Sequence, residues 1–284
     1  MALRNLLVHV DQTSANPKRV DAAIALATRE NAHLTALYCV GEFLLPGWAD
    51  VPGEVVAEQR RRETARAEEV LDDFRSKAEH AGISYETRMA EVPADSVADE
   101  VAVNARYCDL AILGQMNPDE VPTGGRHIVE TTVLGAGRPV LVIPYIGVPA
   151  DSSGEMRLGR DIMVAWNASR ESTRAVNDAM PFLESANSAN VVAINPTTSF
   201  QQHGEEPGAD IGLHLARHDV KVNVQHYRME ELGPGDAVLA RVSDMDCDML
   251  VMGAYGHSRM RELVMGGATR TILQHMTVPV LMSH

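Results

Sequence analysis

The sequence is short of cysteine and of positive charge, and it has no long apolar run. Its three cysteines, Cys39, Cys108 and Cys247, lie far apart with no CxxC pair. That odd, scattered set argues against a disulfide framework and for reduced thiols buried as small apolar residues. Lys and Arg number 25 against 39 Asp and Glu, a formal net charge of −14. A general nucleic-acid binder works through clustered Lys and Arg, so that class is excluded and the acidic balance serves solubility. No stretch of about 18 apolar residues offers a bilayer span. The N-terminal "MALRNLLVHVDQTS" has one arginine and a short apolar stretch, but Asp11 follows and no small-residue cleavage site ends it. It reads as a first β-strand, and the expected location is the cytoplasm.

With 45% hydrophobic and 23% charged residues the composition is globular. A chain of 284 residues holds one large domain or two ordinary ones of about 100–150 residues. Internal repetition favours two. "CDLAILG" at 108–114 returns as "CDMLVMG" at 247–253, and "RPVLVIP" at 138–144 returns as "VPVLMSH" at 278–284. "RNLLVHVDQT" is echoed by "RDIMVAWNAS", and the Gly-, Pro- and Ser-bearing "YIGVPADSSGEMRLG" between the copies has the content of a linker. The expected domains are residues 1–146 and 157–284.

Within each copy, apolar runs rich in β-branched residues alternate with amphipathic stretches, the pattern of βαβ units. Strands are expected near 4–10, 34–40, 83–89, 109–114 and 139–143, then 160–165, 190–194, 221–226, 248–253 and 279–282. Helices are expected near 15–31, 56–81, 94–105 and 126–135. The runs "LAILG" and "MLVMG" are apolar throughout, as in strands buried on both faces. The fold class is therefore α/β: two tandem, doubly wound, five-stranded parallel-sheet domains, each with its ligand site beyond the carboxyl ends of the strands.

The segment "MGAYGHSRMRELVMGGATRTIL" (252–273) leaves one such strand and feeds a helix. Glycines let backbone approach phosphate oxygens and adopt positive φ, and a helix N-terminus offers unpaired N–H groups and partial positive charge. Gly253 and Gly256 would shape the first turn, while Gly266, Gly267, Ala268 and Thr269 would present amides to phosphates. The spacing fits neither GxGxxG nor the Walker pattern, which disfavours a Rossmann dinucleotide site and a P-loop. The competing reading is a merely tight loop.

Gly253-x2-Gly256-x9-Gly266-Gly267, followed by a small residue and a short helix ending in "PVL", resembles the signature of the universal stress protein family. "AWNASRESTRAVNDAMPFL" (165–183) resembles that family's first strand and helix, and the duplication its tandem members. The resemblance implies a fold similar to the adenine nucleotide alpha hydrolases. It also implies ATP, with or without Mg²⁺, in the second copy. Ala165 and Asn167 would then flank the adenosine and Ile194 or Asn195 would lie under it. Met252, Gly253, Gly256, Gly266, Gly267, Ala268 and Thr269 would hold ribose and phosphates. Many ATP-binding relatives have Asp in place of Asn167 and Ser or Thr in place of Gly267, so a carboxylate and a hydroxyl are missing here.

The first copy departs further. Asn117 replaces the second glycine, and Asp119 and Glu120 put carboxylates where phosphates would arrive, so no ATP is expected there. Asp11 keeps an acidic residue at the end of the first strand, leaving a nucleotide or another small ligand open. Residues 41–81 read as a loop and a long, largely solvated helix. Leu44, Leu45, Pro46 and Trp48 form an exposed-looking apolar cluster that would cover a site or meet a second subunit.

His214 and His218 share a helical face, but no HExxH glutamate and no third ligand accompany them. His257, Arg259 and Arg261 are either exposed loop residues or phosphate contacts. No GxSxG or Cys-centred nucleophile pattern occurs, and near the loop only Glu262 offers a carboxylate, so dedicated catalysis is not indicated. The expected function is a stress-response ATP-binding switch or sensor. The alternatives are a slow ATPase or phosphotransferase and a non-binding tandem scaffold. Strands 139–143 and 279–282 are the natural edges for pairing the two domains within the chain, with a homodimer left open.

Overall fold

Short β-branched runs too apolar to face water on either side need helices above and below them, and this requirement organises the fold. The structure, a computed structural model, describes residues 2–42, 53–120, 125, 127–196, 206–256 and 267–284. They divide into two compact units, Leu3–Arg138 and Pro139–His284.

The first unit contains β1 (Asn5–Val10), α1 (Asn16–Glu30), β2 (His33–Glu42) and α2 (Gly53–Ala81). It continues with β3 (Tyr85–Pro93), α3 (Val97–Ala105), β4 (Leu110–Gly114) and α4 (Ile128–Gly135). Its strands lie in the order β3-β2-β1-β4, all parallel. The core is aliphatic: Leu6, Leu7, Val8, Leu110, Ile112 and Leu113 are fully enclosed, with Leu26, Leu71 and Phe74 supplied by the helices. The remaining surface of α2 carries pairs at helical spacing, such as Glu58 with Arg61 and Arg62, and Glu63 with Arg66, which solvate the helix as its charge pattern suggests.

The second unit contains β5 (Val140–Ile143), β6 (Asp161–Ala165), α5 (Arg170–Asp178), α6 (Met180–Ser185) and β7 (Ser188–Ile194). After these come α7 (Ala209–Ala216), β8 (Val222–Tyr227), α8 (Pro234–Asp244), β9 (Met249–Gly253), α9 (Gly267–His275) and β10 (Val280–Ser283). The order β8-β7-β6-β9 repeats that of the first unit, and β10 adds a parallel strand beside β9. The remaining step is antiparallel, Val280 opposite Val142 and Met282 opposite Val140. Strand β5, which the repeat places in the first copy, thus groups with the second unit. Pro181 explains why the first helix of this unit breaks into α5 and α6, since proline lacks the N–H that a continuous helix requires.

The repeated Cys-Asp pair is structural. Asp109 Oδ2 accepts the backbone N–H groups of Arg4 and Asn5, and Asp248 Oδ1 accepts those of Gly159, Arg160 and Asp161. Each carboxylate pins the start of the strand beside it, at the amino end of the strands. All three cysteines are free and buried, and burial foremost pushes their thiols up to about 12, 12 and 11 for Cys39, Cys108 and Cys247, so none is a ready nucleophile.

Candidate functional site

In the second unit β6 lies between β7 and β9, with Ala165 opposite both Val192 and Met252. This register brings Ala165, Met252 and Ile194 to the carboxyl edge of three adjacent strands. Asn195 follows at φ 48°; its N–H donates to Tyr227 O at 2.8 Å, and its side chain holds both the N–H and the carbonyl of Met229. It pins the chain leaving β8. Asn167 Oδ1 accepts the N–H of Ser169 at 3.1 Å, and Ser169 Oγ caps α5 by accepting the N–H of Ser172 at 3.1 Å.

Gly253 is a packing glycine, because a Cβ there would stand 2.4 Å from Ser172 N and 2.5 Å from the Glu171 carbonyl carbon. A Cβ on Gly256 would stand 3.0 Å from Glu171 Oε2. The positive φ expected of this pair falls instead on Tyr255, at 59°. Close approach of backbone to the first turn of α5 requires glycine at 253, while at 256 the nearest neighbour is the movable Glu171 carboxylate. Gly267 opens α9, where a Cβ would have nothing within 4 Å. Ala268 is partly covered and Thr269 buried. Gly266, His257, Arg259, Arg261 and Glu262 lie outside the described residues.

Glu171 was not singled out by the sequence. It is buried, and among the described residues its Oε2 has no hydrogen-bond partner. Burial alone would raise its carboxyl. The α5 N-terminal amide, the Ser169 hydroxyl, Arg170 and His284 outweigh that and hold it below the usual range. His284 is itself tied to the loop, Nδ1 lying 3.0 Å from Ala254 O. A charged acceptor thus sits beneath residues 253–256. Its first-turn position reads in sequence as an ordinary helix-dipole partner, which is why no motif marks it.

The first unit has a cavity of about 320 Å³ at the carboxyl edge of its strands. Asp11 lines it, its Oδ2 2.9 Å from Arg19 and its Oδ1 accepting the Thr13 N–H at 2.9 Å, the same two-residue turn that Asn167 makes. Burial would raise the Asp11 carboxyl, but Arg19, His9 and Thr13 pull it down to about 2. Arg19 is buried, bonds Asn16 Oδ1 at 3.0 Å, and occupies the space beside Gly114, where a Cβ would fall 2.0 Å from its Nη1. His9 lines the cavity too, and burial first, then Arg19, overcomes the opposing Asp11 to lower it to about 4. Glu120 accepts the Ser14 N–H at 2.8 Å.

Residues 159–284 match the model of the universal stress protein family. The match covers 126 of the 284 residues, so this part of the chain is similar to a universal stress protein domain. A universal stress protein of Synechocystis is 44% identical over 46 residues, and the match spans 16% of this chain and 16% of that relative. Among solved structures, one of a universal stress protein from Archaeoglobus fulgidus superposes with a TM-score of 0.72 at 16% identity, covering 98% of this chain and 97% of its own. A protein of unknown function from Pseudomonas aeruginosa superposes with a TM-score of 0.59 at 17% identity, covering 99% and 92%. At these identities the likeness is one of fold, and it is the α/β fold expected from the sequence.

In the second unit the described candidates fall into two kinds. Ala165, Ile194, Met252, Gly256 and Gly267 stand at strand ends or at the opening of α9. Asn167, Asn195 and Gly253 are occupied by backbone hydrogen bonds or tight packing. His214 and His218 meet edge to face at 4.9 Å, and among the described residues no group of three His, Cys, Asp or Glu converges as a metal site. No described helix is long and apolar enough to cross a membrane.

Proposed function

We propose that the second unit binds an adenine nucleotide, ATP, at the carboxyl ends of β6, β7 and β9, and acts as a nucleotide-dependent switch in a stress response. The observation that supports this reading is the opening of α9. Its first residue, Gly267, has open space where a side chain would be, and the first-turn amides of a helix have no intrahelical partner, so a phosphate would find donors and room there. Adenosine would lie against Ala165, Ile194 and Met252, with Asn167 and Asn195 fixing the walls. Glu171 Oε2, beside Gly256 and unpartnered among the described residues, is the acceptor that a ribose hydroxyl or a Mg²⁺ carried in with the phosphates would meet. Gly266, Ala268 and Thr269 complete the proposed cradle.

Gly267→Glu tests this directly. A carboxylate at the first position of α9 suits the helix dipole, so the fold should be retained, yet it places like charge where phosphate would bind. The purified protein, denatured and analysed by chromatography and mass, should release close to one adenine nucleotide per chain or bind added ATP with Mg²⁺ saturably. The variant should do neither while melting at about the same temperature. Equal ATP binding by both proteins would sink the reading.

A further inference from the structure

Adenine nucleotide in the second unit leaves the cavity of the first unit unexplained. Three observations say what that cavity rejects. The backbone N–H of Ser14, just before α1, is already held by the chain's own carboxylate, Glu120, at 2.8 Å. An anion binding at this end of the helix would have to displace it. The one buried guanidinium nearby, Arg19, is committed to Asp11 and Asn16. Among the described lining residues there is no Lys or Arg, and His9 is neutral at physiological pH because burial has lowered it to about 4. Among the described residues a phosphate would meet carboxylates and no free cation.

What remains is complementary to the opposite charge. With Asp11 neutralised by Arg19, the lining keeps Glu63 and Glu120; Glu63 shares the exposed Arg66 at 3.0 Å, and among the described residues Glu120 has no basic partner. Cys39, Val40, Val97 and Ile128 give the cavity an apolar wall. His9 is about 95% buried, and among the described residues it makes no hydrogen bond, its nearest carboxylate oxygen lying 3.9 Å away on Asp11. A buried polar ring that makes no hydrogen bond and lines a half-open cavity of this size is the mark of a ligand site rather than of a packed core. We infer that the first unit holds a second small-molecule site, independent of the nucleotide reading, which takes a compact organic amine. Its apolar body lies against Val40, Val97 and Ile128, its ammonium group meets Glu120 and Glu63, and phosphate is excluded.

Titration calorimetry of the full chain with phenethylamine and with 2-phenylethanol, which differs in carrying no charge, tests this. The amine should bind saturably and about tenfold or more tighter than the alcohol, the size of one charge-assisted contact. Glu120→Gln keeps an acceptor for the Ser14 N–H but removes the charge, and should abolish most of that preference. Glu63→Gln, on the solvated helix α2, should reduce it in the same direction and serves should the Glu120 variant fail to fold. Millimolar ATP or inorganic phosphate should leave the amine isotherm unchanged. Equal affinity for amine and alcohol, no saturable amine binding, or displacement of the amine by phosphate or ATP would each overturn the assignment.

Discussion

Glycines 253 and 267 belong to one motif and answer to different constraints. At 253 a methyl group would run into the backbone of α5 at 2.4 Å, and backbone cannot swing aside as a side chain can. Gly253→Ala should therefore cost roughly 1–3 kcal/mol in urea denaturation. Gly267→Ala, in open space at the first position of α9, should be neutral or stabilising by up to about 1 kcal/mol. Buried His9 makes the opposite kind of demand. Its folded-state value of about 4 lies below the ordinary 6.5, so its contribution to stability is complete above pH 6.5 and is lost as pH falls through 4. That loss amounts to roughly 3 kcal/mol for a shift of this size. Asp11, held at about 2 against 3.8, adds a second loss below pH 3.8. His9→Gln should flatten the stability profile between pH 6.5 and 4 and leave the Asp11 step below it, as followed by circular dichroism across a pH series.

Elements were more legible than contacts. Strands β4, β5 and β9 fell where short apolar runs ended at Gly or Pro, because a strand enclosed on both faces tolerates little else; β4 and β9 were read to within a residue or two from "LAILG" and "MLVMG". Helix α2 was recognisable from charge spacing alone. The repeated Cys-Asp pair was visible as a repeat, but its purpose appears only when Asp248 is seen accepting three successive backbone N–H groups at the start of β6. Asp248→Ala should cost about 2–3 kcal/mol or more by leaving buried donors unmatched, and the loss should appear as faster hydrogen exchange at the amino end of β6. The sequence offers candidate residues where a motif fixes spacing, as with Gly256 and Gly267. It hides them where distant side chains converge. Nothing in the order of residues says that Arg19 fills the space beside Gly114, that Glu120 reaches Ser14, or that Glu171 lies beneath Gly256. Residue 19 lies 95 positions from residue 114, and only the fold brings the two together.

At the scale of the whole molecule, two units of the same strand order have been furnished differently at the same edge. In one, Gly267 leaves open space at the start of the helix after β9; in the other, a buried arginine fills the space beside Gly114 and the chain's own carboxylate holds the N–H before α1. A ligand that binds only one unit stabilises that unit by RT ln(1 + [L]/Kd), about 2.7 kcal/mol at 100-fold excess over Kd. Single-transition bookkeeping is unsafe for a chain of two units, so the prediction is best read residue by residue. Saturating ATP with Mg²⁺ should slow hydrogen exchange by about 100-fold in β6, β9 and α9, if those amides exchange through opening of the unit that binds it. Amides of β1, β2 and β4 should change little. Phenethylamine should reverse the pattern. Protection by ATP in β1 and β4 would mean that Glu120 yields its place at α1 to a phosphate, and the division of ligands between the two units would then fail.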